Sequence, residues 1–471
     1  MAVSKMLFAL SSWEKAGRFG VGDNGPILEL SVHSPSDVTH HFQGYLLDDN
    51  FYRHATNEDC TNRDFQEVIS HRKNRESPCS LDLNWRLRGP GRRMVAVPRI
   101  DGEPVSFDFT IRSTMLGGLP SAPVVKGFLI RRQCSRRLSH DTLFEIVRKL
   151  PRIQKLSLEP LRQRFSFCND STSSDTTNIH ASVNVFPDAS KPILMYNTTG
   201  FAEKLTAFLQ RAGSLKSLSI FETYNLAFNA SDNTTHLSLP GLVLADETFS
   251  LEHLSVSFLS DAQDFFRDFG SRNSPVDWDL SPRRRQLVEG ARKFDSTSSS
   301  RSLLDGITVE NRRIMMPFYQ PSWPRLKSLA LTSPILDWNT PRSKIDDLLW
   351  AAAGAAMVMP RLQTMELWNG SKHVACIFRY SRTGGEGCPK ITVTSTWKLL
   401  LVPRIVRRWD IVAHKHTGVG IRVEEQLLEA AGFKSYASVI AHLELRWLVC
   451  HPISVCQMEW ETAAESNRSF W

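Results

Sequence analysis

The sequence predicts an α/β fold built from an irregular array of helix–strand units, and a repeated motif is the first reason. The motif is Pro-Arg, an apolar residue, two polar or small residues, and then apolar-x-apolar. It occurs at Pro151–Leu158, Pro324–Leu331 and Pro360–Leu367. With 24 Pro and 57 Lys+Arg in the chain, about 0.2 matches are expected by chance. We therefore interpret the motif as a structural repeat.

The second reason is the kind of segment that precedes the motif. Apolar stretches with helical character lie before it at Thr142–Leu150 and Ile345–Met359. Proline ends a helix, and the basic residue beside it suits the carbonyl end of the helix dipole. The apolar-x-apolar end then predicts a short strand with one inward face. Helix, stop and strand in repetition are typical of a leucine-rich-repeat-like solenoid.

Looser copies without Pro-Arg extend the array. They are Leu215–Ile220, which follows the helical stretch Ala202–Arg211, then Leu251–Val256, and a third candidate at Ile440–Leu445. Leu215 and Leu251 are 36 residues apart, which exceeds the roughly 20–29 residues usual for leucine-rich repeats. The array is therefore expected to be irregular.

The C-terminal part predicts a β-hairpin and further α/β units. The hairpin strands are His373–Tyr380 and Ile391–Leu401, joined by a glycine-rich turn. Pro403 is suited to begin a helix. The remaining predicted elements are a strand at Val419–Val423, a helix at Tyr436–His442 and a strand at Leu443–Leu448.

Composition divides the chain into four predicted regions. They are residues 1–123, partly irregular; 124–269, a first repeat-like α/β region with a polar insertion at 165–190; 270–320, a disordered insertion; and 321–471, a C-terminal α/β region. Both insertions are rich in Ser and other polar residues, which is why they are not expected to form a packed core.

Charge and cysteine content restrict the class of protein. The net charge of +8 over 471 residues favours a mixed solvated surface over a nucleic-acid-binding one. The eight cysteines contain no C-x-x-C pair, which is typical of a reducing compartment. No apolar run reaches the ~20 residues of a membrane helix, and no signal peptide is evident. We expect the cytoplasm and/or the nucleus.

The motifs that would carry chemistry are weak. Gly20–Gly25 matches G-x-G-x-x-G, but Pro26 and a strand follow it instead of a helix. His414-x-His416 has no further ligand at metal-binding spacing. Cys450-His451 lies in an apolar segment, where cysteine is usually a small core residue. We therefore expect no catalytic residue, no cofactor and no metal site.

Two features are candidates for binding a partner. The densest basic run contains Arg131, Arg132, Arg136 and Arg137. It suits phosphate or an acidic partner, and a solvated segment with carboxylate pairs is the alternative. Trp368 is a candidate hot-spot residue, and packing in the core is the alternative interpretation.

Several stretches together carry a family resemblance, among them Gly127–Gln133, Leu251–Phe258 and Leu326–Ser333, and most strongly Met359–Gly370. In these stretches the chain resembles a family of fungal proteins in which a domain of unknown function follows an F-box. In that family the F-box docks on a Skp1-type adaptor of a ubiquitin ligase. No Leu-Pro-x-Glu opening precedes the Ile27 strand here, so such an adaptor is an expected partner only if an F-box lies upstream.

These observations lead to one hypothesis and two alternatives. The hypothesis is a non-enzymatic protein-interaction scaffold related to F-box substrate receptors of ubiquitin ligases. One alternative is an enzyme with a dispersed active site, which requires titratable residues with perturbed pKa values to converge. The other is a basic nucleic-acid-binding protein that acts through Arg131–Arg137.

Overall fold

The structure is a computed structural model. It describes residues 2–15, 25–31, 106–107, 119–132, 134, 138–159, 198–222, 241–269, 322–371, 373–382, 388–456 and 458–459. The predicted insertions at 165–190 and 270–320 lie outside the described residues.

The described strands form a single ten-stranded sheet in which the spatial order is the chain order. The strands are β1 (Ile27–Glu29), β2 (Gly127–Ile130), β3 (Lys155–Leu158), β4 (Ser217–Phe221), β5 (His253–Ser257), β6 (Ser328–Thr332), β7 (Thr364–Ser371), β8 (Val374–Ser381), β9 (Lys390–Ser395) and β10 (Arg422–Leu427). Strands β1 to β7 are all parallel to their neighbours. Strands β7, β8 and β9 are antiparallel, and β10 is parallel to β9.

Along the chain, one helix precedes the strands, two follow them and the others lie between them. They are α1 (Ala2–Lys15), α2 (His140–Arg148), α3 (Thr198–Leu209), α4 (Gly241–Glu247), α5 (Ala262–Phe265), α6 (Arg342–Ala356), α7 (Pro403–Thr417), α8 (Tyr436–Ile440) and α9 (Arg446–Val449). Short 3₁₀ turns follow α5 at Arg267–Phe269 and precede α8 at Ala430–Gly432. Within the described part, no helix has the length and apolar character needed to cross a membrane.

The mixed α/β class is confirmed, and the Pro-Arg units all lead into strands. The three full units lead into β3, β6 and β7, and the looser copies at Leu215 and Leu251 lead into β4 and β5. Ser139 accepts a hydrogen bond from the Thr142 amide and so caps α2. The hairpin strands are found as β8 and β9.

Three predicted strands are corrected. The predicted strand at Leu443–Leu448 is instead a turn that leads into the helix α9. The candidate copy at Ile440–Leu445 contains no strand either, because α8 ends there and a turn leads to α9. The apolar spacing of this copy is compatible with a strand in a sheet, and equally with a segment that packs on the face of a sheet. The predicted strand at Val419–Val423 begins later, at Arg422. Helices α1 and α4 were not predicted from the sequence.

The parallel strands begin with a repeated hydrogen-bond arrangement. The Lys126 carbonyl accepts from the amides of Gln154 and Lys155, at 2.6 and 3.0 Å. The same two-amide arrangement recurs from strand to strand up to β7, so the residues that enter these strands are in register. Arg382 lies at the same edge, because it follows the antiparallel strand β8 and its amide donates to the Gln363 carbonyl. We call the residues at this edge the strand-start row: Lys126, Gln154, Lys216, Glu252, Lys327, Gln363 and Arg382.

The two faces of the sheet differ in character. One face carries an aligned apolar ladder of Phe128, Leu156, Leu218, Leu254, Leu329 and Met365, which belongs to the large core that includes the helices. Because side chains alternate along a strand, the next residues lie on the second face. These are Ser157, Ser219, Ser255, Ala330 and Glu366, also in register.

Candidate functional site

The second face of the sheet is covered by residues 428–459, which we call the covering segment. It contains α8 and α9, and it forms a separate apolar cluster with the sheet. From the sheet this cluster takes Phe221, Phe258, Ala330, Trp368, Ala375 and Ile377. From the covering segment it takes Phe433, Tyr436, Ala437, Val439, Ile440, Leu443, Val449, Cys450, Val455 and Met458.

The aromatic centre of this cluster surrounds Phe258. The Phe258 ring lies 4.5 Å from the Tyr436 ring and 5.2 Å from the Trp368 ring, measured between centroids. The backbone of Phe258 has a φ of 62°, a conformation that bulky residues rarely adopt. Its amide donates to Thr332 Oγ1 at 2.7 Å, which helps to hold this conformation.

Close packing on β7 leaves no room for a side chain at Gly370. A Cβ atom placed there would lie 2.7 Å from Val439 Cγ2 in α8. Real Cβ atoms do not approach a neighbour so closely. Glycine at this position therefore allows α8 to lie directly on the strand.

The middle of the covering segment is held by the carboxylate of Glu366 on β7. This buried carboxylate accepts from the amides of Glu444 and Leu445, both at 2.9 Å, and from Arg379 Nε at 2.6 Å. Burial raises the pKa of Glu366, while the charge of Arg379 and the two amides oppose that rise. The arrangement joins β7, β8 and the covering segment through a single side chain.

A second point of the covering segment, nearer its C-terminal end, is held by Glu159, directly after β3. Glu159 is fully buried, and its Oε1 accepts from the His451 amide at 2.6 Å. Burial raises its pKa to about 7, opposed by hydrogen bonds from Ser454 and His451 and by the charges of Arg131 and Arg132. The carboxyl is therefore set to exchange a proton near neutral pH.

The Cys450 side chain lies beside Glu159, and the His451 amide bonds to the same carboxylate, so two buried titratable side chains meet where the sequence showed no such set. Burial raises the pKa of Cys450 well above its usual value, whereas a nucleophilic cysteine needs a lowered pKa. Burial lowers the pKa of His451 to about 3, and its Nδ1 accepts from the Ile453 amide at 3.3 Å. The cluster thus anchors the segment and does not activate the thiol.

The residues predicted to bind a partner lie at or beneath this region. Arg131 Nε donates to Glu29 Oε1 at 2.5 Å. Arg132 is buried, and its amide donates to Ser454 in the covering segment at 3.3 Å. Trp368 is fully buried, the core position that the sequence left open as the alternative to a partner anchor. Arg136 and Arg137 lie outside the described residues.

The ring nitrogens of His414 and His416 lie within hydrogen-bonding distance of backbone carbonyl oxygens. His416 Nε2 lies 2.9 Å from the Ala356 carbonyl oxygen, and His414 Nδ1 lies 3.0 Å from that of Asp410. Among the described residues, no group of three or more His, Cys, Asp or Glu could hold a metal ion.

Sequence reasoning missed the two carboxylates, although a weak signal existed. Glu366 occupies the position of the unit where the other strands carry Ser157, Ser219, Ser255 or Ala330. A carboxylate among small residues on one face of a sheet indicates that hydrogen-bond donors are buried against it. Glu159 lies directly after β3, and no aligned row of small residues marks it as unusual.

Comparison with known proteins identifies a family and no individual relative. No curated protein matches the chain, and no solved structure does so either. A family profile described as a family of unknown function, DUF6546, matches residues 210–451, slightly more than half of the chain. The match extends from the residue after α3 to His451, and so includes β4 to β10 and most of the covering segment. The chain therefore belongs to the DUF6546 family.

Proposed function

We propose that the protein is a non-enzymatic protein-interaction scaffold, leucine-rich-repeat-like in architecture and related to the F-box substrate receptors of fungal ubiquitin ligases. The observation that carries the proposal is the order of the sheet. Strands β1 to β7 follow one another in the chain, each parallel to the last. Arrays of this kind present one long continuous surface, which they use to bind partners.

The repeated start of each strand adds support to the repeat-like interpretation. The carbonyls of Lys126, Gln154, Lys216, Glu252 and Lys327 each accept two amides from the next strand. A recurring backbone arrangement at units of different length is expected when each unit packs only against its neighbours. In this proposal, residues 124–269 and 321–471 build one scaffold, since both supply strands to the same sheet.

The two alternatives, an enzyme and a nucleic-acid-binding protein, have less support than the scaffold proposal. Glu159 and Cys450 do have perturbed pKa values, but an enzyme would need an activated group that a substrate can reach. Both side chains are buried beneath the covering segment, and the pKa of the Cys450 thiol is raised. A nucleic-acid-binding protein acting through Arg131 and Arg132 would need those side chains at the surface. Arg132 is buried and Arg131 is mostly so, paired with Glu29.

Affinity purification tests the proposal directly. The full chain, tagged at either end in separate preparations, is expected to retrieve at least one common protein from fungal extract. A Skp1-type adaptor is expected only for a form of the protein that carries an F-box upstream. If reciprocal purification from several growth conditions retrieves no common partner, the scaffold proposal is wrong.

A further inference from the structure

From one strand to the next, the strand-start row alternates between a cationic residue and a Gln or Glu residue. Cations stand on every second strand, at Lys126 before β2, Lys216 before β4, Lys327 before β6 and Arg382 after β8. The strands between them carry Gln154, Glu252 and Gln363 in the same row. Gln363 is exposed and the other side chains of the row are partly exposed. Residues far apart in the sequence thus form a single polar edge.

The arginines of the Pro-Arg units strengthen the positive charge of this edge. Arg152, Arg325 and Arg361 each lie two positions before a residue of the row, and all are exposed. Lys155, next to Gln154, is also exposed. The motif that ends each helix therefore also delivers a cation to the same edge of the sheet.

Acidic residues neutralise only part of this edge. The Glu252 carboxylate accepts from Lys327 Nζ at 2.7 Å and Arg325 Nη2 at 3.1 Å. Glu444, on the covering segment, accepts from Thr364 Oγ1 at 3.1 Å at the start of β7. Outside this part of the edge, Lys126, Lys155, Lys216 and Arg361 form no ion pair with any residue that the structure describes.

The spacing of the row defines the size of a partner. Neighbouring strands lie about 4.8 Å apart, so cations on alternate strands are about 10 Å apart. The six steps from Lys126 to Arg382 span about 29 Å. An extended peptide advances roughly 3.3 Å per residue, so about nine residues cover this distance. The long lysine and arginine stems can adjust to carboxylates at irregular spacing.

We propose that the strand-start row is a docking surface for an acidic protein segment of about nine residues in an extended conformation. This inference rests on the proposed scaffold function and names the chemistry of the partner. A protein segment fits better than nucleic acid, because Gln154 and Gln363 can exchange hydrogen bonds with a peptide backbone. No aromatic side chain in the row offers the stacking that single strands use.

A charge-reversal experiment tests this docking surface. Binding of a fluorescein-labelled ten-residue polyglutamate peptide to the full chain is measured by fluorescence anisotropy at low and moderate salt. The row variant carries Lys126→Glu, Lys216→Glu and Arg361→Glu. The control carries Lys344→Glu, Lys398→Glu and Arg407→Glu, exposed positions away from the row with the same change in net charge. We expect the row variant to bind at least about tenfold more weakly and the control less than about twofold.

Each other outcome is informative. Equal loss in both variants, or no peptide binding by the unmodified chain, would overturn the docking surface. Binding of a 20-base-pair DNA duplex through the row, without peptide binding, would replace the acidic segment with nucleic acid. If the row variant fails to fold by circular dichroism, the Lys126→Gln, Lys216→Gln and Arg361→Gln variant takes its place. A common affinity-purified partner that binds the row variant normally would sink the docking surface and leave the scaffold proposal standing.

Discussion

The two faces of the sheet are held to their coverings by different physical means. The first face contributes aligned Leu and Phe residues to a core shared with the long helices. The second face also packs through an apolar cluster that includes Trp368, but it adds Glu366 among small residues, and short helices of the covering segment lie on it. Apolar burial is non-directional and scales with area, whereas a carboxylate stabilises only the donors that point at it. The first face should therefore lose stability in proportion to the apolar area removed, whereas the second face should depend in addition on single polar groups.

The largest effect is expected where the second face depends on a single carboxylate. Glu366→Ala leaves Arg379 and the amides of Glu444 and Leu445 without their acceptor, and should destabilise the fold by about 3–5 kcal/mol. Urea unfolding measures this loss, and proteolysis should cut the covering segment more readily. As the control, Glu444→Ala removes only a half-exposed carboxylate 3.8 Å from Arg379, and should cost below about 1 kcal/mol. Equal effects would contradict the anchoring role.

Neighbouring residues on β5 compare the two faces directly. Leu254→Ala opens a cavity in the helix-covered core and should destabilise the fold by about 2–5 kcal/mol. Ser255→Ala, on the opposite face, removes a buried hydroxyl for which the described residues supply no hydrogen-bond partner. It should change the free energy of unfolding by less than about 0.5 kcal/mol. A large loss from Ser255→Ala would show that the second face also depends on this hydroxyl.

The charge of Glu159 should make the second face sensitive to pH. Because the pKa is raised from 4.5 to about 7 in the folded chain, the folded state binds this proton more tightly than the unfolded state. The stability that the proton confers is complete below pH 4.5 and is lost as pH rises to 7, with a total of about 3 kcal/mol. Glu159→Gln should remove that loss, so the variant should exceed the natural chain in stability at pH 8.

His451 also contributes to the pH dependence of stability, and its contribution has the opposite sign. Its pKa is lowered from 6.5 to about 3, so its contribution is present above pH 6.5 and is lost as pH falls toward 3. Urea unfolding of the natural chain and of Glu159→Gln between pH 5 and 8 isolates the carboxyl, because both proteins keep His451. Parallel profiles for the two proteins would show that Glu159 does not titrate in this range.

The smallest effect concerns the contact of α8 with β7. Gly370→Ala places a Cβ within 2.7 Å of Val439 Cγ2 and should cost about 1–3 kcal/mol. In the Gly370→Ala, Val439→Ala double variant the new methyl group has room, so the double variant should be more stable than the sum of the single changes predicts. Strict additivity in thermal unfolding would indicate that the strand and helix move apart instead.

The first face was largely predictable from the sequence and the second was not. Pro151 and Pro360 mark the helix ends, and the apolar-x-apolar positions after them give β3 and β7. These are local signals, because each depends on residues within one unit. The contact of His451 with Glu159 joins residues 292 positions apart, and no local pattern encodes it. The segment at Ile440–Leu445 resembled a further unit because residues that cover a sheet need the same apolar spacing.

The path of the covering segment has a consequence for how the chain folds. An array in which each strand touches only its neighbours can form in pieces, since every contact is close in sequence. Here the segment bonds to Glu366 on β7 and then to Glu159 after β3, and so spans the strands between them. The loop-closure entropy of these contacts must be overcome late, after the strands have assembled. During synthesis, the second face of the sheet should therefore stay uncovered until residue 451 has left the ribosome.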